Sequence, residues 1–326
     1  MDEAYEVVVV GGGAAGLAGA VALCRARRSV LLVDAGQPRN AGAGQVHNYL
    51  TREGMSPTDL LAAGRAEVAR YGGEIRHGRV RAAARDGDGF VVMLDDGVGV
   101  RARRLLVTTG LVDELPDVPG VAERWGRDVL HCPHCHGWEV RGQRIGVLAN
   151  RPTAVHQAQT WRQWSPHVLL LLNGTTAPDP EQAERLAARG IAVVDDRVAG
   201  LVVAGDTLTG VRLASGAVVP LDALVVTPRY TARAGVLASL GLEPVDVEFG
   251  GHVIGSQVAA DPTGAAAVPG VWVAGNVTHP LAQVVTAAAT GLNAAVAINA
   301  DLISEDVGTA VDGYRQRQRS CTRVDP

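Results

Sequence analysis

Apolar residues in this chain come in short unbroken runs separated by glycine-rich and polar turns, a pattern that predicts buried parallel strands alternating with helices. EVVVVGGGAAGLAGAVALCRARRSVLLVD, from Glu6 to Asp34, reads as a strand, a glycine turn, a small-residue helix and a second strand. The polar stretch SPTDLLAAGRAEVARYGG predicts a further helix. FVVMLDDGVGVRARRLLVTTG predicts a hairpin about its DDG turn, leading into a buried strand that ends at Gly110. LVDELPDVPG, rich in proline, reads as a linker. QRIGVLANRPTAVHQAQTWRQW starts another strand, turn and helix, and HVLLLLN, IAVVDD, LTGVRLASG and ALVVTP supply more strands. A second βαβ-like domain is therefore expected over about residues 118–235. Near the end, VPGVWVAGNVTHPLAQVVTAAATGLNAAVAINADL predicts a strand, a turn at Gly275 and Asn276, and a closely packing helix. YRQRQRSCTRVDP reads as a solvated tail.

The first glycine turn carries chemistry. Gly11 makes the tight turn, Gly13 lets backbone approach a pyrophosphate, and Gly16 lets the helix pack on the strand. The amides at Ala14 and Ala15 then face the anion from the helix start. Asp34, about 20 residues on, is placed to accept hydrogen bonds from an adenosine ribose and would repel a 2′-phosphate. The expected ligand is FAD or NAD. In the second unit the equivalent glycine positions hold Ala149, Arg151 and Ala154, and NGTTAP after the next strand offers no arginine for a 2′-phosphate. The fold is expected there without its nicotinamide site.

Length and composition narrow the partners. With 326 residues, 47% of them hydrophobic, two domains are expected. A net charge of -4 without long single-sign runs leaves no footprint for nucleic acid or an anionic membrane. The acidic start is unlike a secretory signal and no stretch is built to span a bilayer, so a cytoplasmic protein with a small-molecule partner is expected. All thirty basic residues are arginine, a codon-usage trait of GC-rich, bacterial genomes.

The four cysteines, Cys24, Cys132, Cys135 and Cys321, are too few for a secreted disulfide scaffold. HCPHCHGWE, His131–Glu139, needs its own account: a metal site, a redox disulfide or an inert pair. A spacing of three puts Cys132 and Cys135 on one face of a helix's first turn, with Pro133 tolerated at the helix start. A helix N-terminus and a nearby histidine both lower a thiol pKa. Structural zinc normally draws a second ligand pair from elsewhere, and none is present. No metal is expected. His136 is the candidate base, ahead of His131 and His134.

The glycine turn, TTG, CPHCHG and VAGN, in this order, resemble the low-molecular-weight thioredoxin reductase family over nearly the full length. The resemblance implies an α/β fold of two Rossmann-like dinucleotide-binding domains. The FAD domain is split over residues 1–117 and 236–326, and residues 118–235 are an inserted nicotinamide-type domain carrying the CxxC. It implies a homodimer. By position, Gly11, Gly13, Gly16, Asp34, Thr109, Gly110, Gly275 and Asn276 fall on FAD-contacting motifs, and Gln283 and Val284 on the segment approaching the flavin ring. Asn276 stands where the family usually has aspartate, and His136 where thioredoxin reductases have aspartate.

The histidine after CxxC, the lost nicotinamide turn, RNAGAGQVHNYL and CHGWE resemble a narrower branch, the FAD-dependent dithiol oxidases of holomycin- and gliotoxin-type disulfide natural products. The implied activity is oxidation of a small dithiol through Cys132 and Cys135, with O2 as acceptor and H2O2 as product. A GC-rich bacterial source favours the holomycin-like, dithiolopyrrolone side. Two other readings remain open on sequence: an NAD(P)H- or ferredoxin-dependent disulfide reductase, and a non-catalytic flavin sensor or dithiol-sequestering protein.

Overall fold

The structure, a computed structural model, describes residues 3–321. β1 (Ala4–Val10), α1 (Ala14–Arg25) and β2 (Val30–Asp34) make the opening βαβ unit, the strands paired in parallel from Val7↔Val30 to Val10↔Val33. Val7–Val10 are buried on both sheet faces, which is why this strand runs apolar instead of alternating. α2 (Pro57–Arg70) starts at Ser56, whose hydroxyl accepts the Asp59 N–H at 3.0 Å. β3 (Glu74–His77), β4 (Val80–Asp86), β5 (Gly89–Leu94) and β6 (Gly99–Val107) complete a sheet in the order β3-β2-β1-β6-β5-β4.

β7 (Leu111–Glu114) falls in the segment whose prolines suggested a linker, and that expectation is corrected. Both prolines, Pro116 and Pro119, come after the strand, so its N–H groups are free to pair. α3 (Val121–Arg124), β8 (Val129–Leu130) and α4 (Pro133–His136) lead into β9 (Ile145–Leu148), α5 (Ala154–Trp161), β10 (Val168–Leu171), α6 (Pro180–Ala188) and β11 (Ala192–Val194). β12 (Val198–Ala204), β13 (Thr207–Leu213) and β14 (Val218–Pro220) form a separate antiparallel sheet, and β15 (Ala223–Val225) returns to the parallel sheet β11-β10-β9-β15-β8. β16 (Arg229–Ala232) pairs with β7, and with α7 (Gly235–Ala238), β17 (Val245–Phe249) and β18 (His252–Gln257) it builds the four-stranded sheet β17-β18-β16-β7 and its flank.

The chain then comes back to the first sheet. β19 (Val271–Val273) pairs in parallel with β6, and a 3-10 turn at Gly275–Val277 precedes α8 (Val284–Cys321). α8 packs tightly on α1 because both present small residues: a Cβ on Gly291 would lie 2.0 Å from the Ala15 carbonyl oxygen. This contact puts the last helix beside the first glycine turn. α8 is longer than expected, since Tyr314–Cys321, read from sequence as tail, is helical; residues 322–326 of that segment lie outside the described residues. Cys24 is buried on α1. Among the described residues, no helix is long and apolar enough to cross a membrane.

Candidate active site

One cavity of about 1370 Å³ runs from the opening glycine turn to the CxxC segment. Gly11, Gly13, Ala14, Ala15, Asp34, Thr109, Gly110, Gly275, Asn276, Gln283 and Val284 line it, and so do Cys132, Cys135 and His136. Gly16 is the one sequence-predicted site residue that does not. A Cβ there would lie 1.9 Å from the Gly11 carbonyl oxygen, so Gly16 serves the packing of α1 against the turn. Gly11 has φ of 108°, a conformation open to glycine, and its missing Cβ leaves room for the Thr108 carbonyl. At Gly13 nothing lies within 4 Å of where a Cβ would be, so the start of α1 opens onto free space. Asp34 Oδ1 accepts the Gly12 N–H at 3.1 Å, which fixes the carboxylate at the cavity wall.

The far wall comes from the ends of β6 and β19. Thr109 donates its hydroxyl to the Arg233 carbonyl at 2.7 Å, and Gly275 N–H donates to Thr290 Oγ1 at 3.0 Å. Asn276 Nδ2 faces three carbonyls, those of His279, Pro280 and Ala282, at 3.1, 3.3 and 2.9 Å. Three acceptors fix the amide orientation and leave Oδ1 for the cavity side. An aspartate here would set its charge against three carbonyl oxygens. Asparagine instead ties down the loop that leads to Gln283, whose carbonyl accepts the Ala287 N–H in the first turn of α8.

Cys132 caps α4 and Pro133 is its first residue; Cys132 and Cys135 form a disulfide with Cα atoms 5.2 Å apart. α4 is a single turn, so it supplies little macrodipole, and the expected help from a helix N-terminus is small. Imidazoles supply the local electrostatics. Burial pushes His136 below the ordinary histidine value; Glu139 pulls it back in part and His47 opposes. His136 is therefore neutral at pH 7 and can accept a proton. Burial pushes His131 down to about 3, helped by the Arg39 charge and opposed by Asp113. Its ring stacks on Trp125 at 5.2 Å and meets the edge of Tyr230 at 6.2 Å. His134 is exposed, against Trp164.

The segments RNAGAGQVHNYL and CHGWE meet beside the disulfide, and apart from Cys135 and His136 their residues carried no expected role. Asn48, held at φ of 60°, donates Nδ2 to the His134 carbonyl at 2.8 Å and to Gln283 Oε1 at 3.3 Å. His47 sits between Glu53, 2.5 Å from Nδ1, and Glu139, 3.4 Å from Nε2. Arg39 forms a bidentate pair with Asp113 at 2.8 and 2.6 Å beneath Tyr230. Only adjacency to HCPHCHGWE in the folded chain marks these groups. At the second turn, Asn150 bridges to Thr227 through both amide atoms at 2.7 and 3.1 Å, Arg151 Nε is buried without a partner, and none of residues 149–156 lines the cavity.

Residues 5–291 match the family model described as pyridine nucleotide-disulphide oxidoreductase. The chain belongs to this family. It is 32% identical over 322 residues to thioredoxin reductase sirT of Leptosphaeria maculans, covering 93% of this chain and 96% of that one. It is 31% identical over 282 residues to thioredoxin reductase tcpT of Claviceps purpurea, covering 83% and 86%. The crystal structure of HlmI is similar with a TM-score of 0.90 at 45% identity, over 96% of this chain and 97% of that one. An oxidoreductase from Agrobacterium tumefaciens follows at 0.85 and 34%, over 93% and 99%. This disulphide oxidoreductase has the two-domain dinucleotide-binding fold of thioredoxin reductases, binds FAD and acts in thiol–disulfide chemistry.

The cavity fits FAD on its own geometry. Open space before Gly13 suits a pyrophosphate, Asp34 Oδ2, with Arg65 3.9 Å away, is at hand for a ribose, and the volume exceeds the roughly 300–1,000 Å³ of ordinary ligand pockets.

Proposed function

We propose that this oxidoreductase is a dithiol oxidase that closes an intramolecular disulfide in a small dithiol, a holomycin-like dithiolopyrrolone being favoured, with O2 as the electron acceptor. One observation carries the reading. The Cys132–Cys135 disulfide and neutral His136 open onto the cavity that suits FAD, while the turn that should hold a nicotinamide nucleotide carries Arg151 and lies outside it. Electrons then have a route in from the substrate's sulfurs, while the second turn lacks the glycines that let backbone approach a nucleotide phosphate.

A substrate thiol gives its proton to His136, and the thiolate attacks Cys132, releasing the Cys135 thiolate. The second substrate thiolate attacks its partner sulfur, closes the ring and expels the Cys132 thiolate. Substrate has lost two protons and two electrons, and the cysteines have gained the electrons. FAD, when bound, supplies a two-electron acceptor that reoxidises the pair and is itself turned over by O2, giving H2O2. Gly11, Gly13, Ala14, Ala15 and Asp34 are assigned to its adenosine diphosphate half; Thr109, Gly110, Gly275, Asn276, Gln283 and Val284 to its flavin half; Gly16 holds the turn. Residues 1–117 with 236–326, and 118–235, are assigned as its two domains, except that β16 (Arg229–Ala232) belongs with the first through its pairing with β7 and β18.

Anaerobic mixing tests the reading. A small dithiol alone should bleach the flavin, and His136→Asn should slow this by roughly a hundredfold or more. Rapid bleaching by NADPH would overturn it in favour of a reductase, and no oxygen uptake above a Cys135→Ser variant would favour a sensor.

A homodimer is proposed on α8. Arg28, Arg103 and Arg104 pin the helix to the first sheet as far as Asp306. Val285, Leu292, Val296, Ile303, Val307, Val311 and Tyr314 remain exposed at steps of three, four and seven. Such a heptad-spaced seam suits a second copy of the same helix.

A further inference from the structure

We propose that His47 is a positioning residue that carries thiol protons out of the dithiol site, from His136 by way of Glu139 to Glu53 and solvent. The proposal rests on the oxidase reading. Each ring closure strips two protons and two electrons from the dithiol. The electrons end on dioxygen as hydrogen peroxide, whose two protons balance the two lost by the dithiol; because a flavin takes up fewer than two protons on reduction at neutral pH, a thiol proton must leave the dithiol site for solvent in each reductive half-reaction.

The charged groups near enough to act on His136 are Glu139 and His47, and His136 in turn acts on His131. Those facing His47 are Glu53 and Glu139. Burial makes His136 a poor store for a proton, so it must hand one on. An imidazole with a carboxylate at each nitrogen can take a proton at Nε2 and release one at Nδ1. Side-chain exposure is 37% at Glu139, 15% at His47 and 63% at Glu53, so the path ends at its most exposed member. The His47 hydrogen bond holds the Glu53 carboxyl below its usual value, so Glu53 passes protons to water at neutral pH.

Asn48 N–H donates to Glu53 Oε2 at 2.8 Å while its side chain holds the His134 carbonyl, so one residue ties the Glu53 end of the path to the backbone two residues before His136.

The test is stopped-flow bleaching of the FAD-loaded enzyme by dithiothreitol without oxygen, in dilute and in concentrated imidazole buffer, with a pH-indicator dye following proton release. Wild type should be insensitive to buffer concentration. His47→Gln should bleach roughly ten- to a hundredfold more slowly in dilute buffer, recover as imidazole is added, and release protons late. Glu53→Gln should show the same buffer rescue. A His47→Gln enzyme that bleaches at the wild-type rate in dilute buffer, or is slowed without rescue, overturns the relay alone. A wild type that dithiothreitol does not bleach overturns the oxidase reading and the relay with it.

Discussion

Asn48 holds the carbonyl of His134, 86 residues away in sequence, through a 2.8 Å hydrogen bond from its side chain. The bond ties the loop after β2 to the backbone between the two cysteines. Its φ of 60° suits asparagine and glycine far better than other residues. Asn48→Gly should lose the two side-chain bonds at a cost of about 1–2 kcal/mol, and Asn48→Ala should lose about 1 kcal/mol more from backbone strain. Thermal unfolding of both variants separates the two contributions.

Gly13 and Gly16 should fail differently. Gly13→Ala places a methyl in open cavity, so the apoprotein should unfold at the wild-type temperature but retain less flavin on purification. Gly16→Ala collides with backbone and should lower stability itself by several kcal/mol. Flavin absorbance beside apoprotein melting distinguishes them.

His131 should make stability depend on pH. Folded, its imidazole stays neutral until about pH 3; unfolded, it protonates near 6.5. Between these values the unfolded state binds the extra proton, so stability is full above about pH 6.5 and falls with acid, by up to about 1.4 kcal/mol per pH unit from this group. His131→Phe keeps the stacking on Trp125 and should flatten that slope in denaturant titrations at several pH values.

Asn276→Asp, which restores the residue common in the resembled family, should destabilise the apoprotein by about 1–3 kcal/mol, because a carboxylate replaces the donor shared by three carbonyls. Chemical denaturation without flavin measures it. An unchanged midpoint would mean that the 279–282 loop does not depend on this amide.

Val296→Asp together with Val307→Asp should turn a dimer into a monomer by light scattering, since both lie on the exposed seam of α8 and neither supports the core. Retained dimer would move the interface to another face.

Local patterns were enough for the central strands of the two parallel sheets and for the FAD turn, but not for the sheet β17-β18-β16-β7. Unbroken valine runs mark strands covered on both faces, and the glycine turn is set locally by the φ of 108° at Gly11 and by Gly16 packing on the Gly11 carbonyl, so chemistry and position arrive together in the sequence. HCPHCHGWE was legible for the same reason, its cysteines being within one turn of each other. Even LVDE, read as linker, was lost only because its partner β16 lies more than a hundred residues on.

The surroundings of the disulfide could not be read in this way. His47, Glu53 and Glu139 look like ordinary polar residues until the loop after β2 folds over α4, and Asn276 shows its part only once three carbonyls converge on it. Sequence by itself determined the apolar central strands, the glycine turn and the paired cysteines, since backbone sterics and covalent spacing act over a few residues. Tertiary structure alone decided which charges meet His136 and how deeply it is buried, because electrostatic energies depend on distances and dielectric that only the packed chain creates.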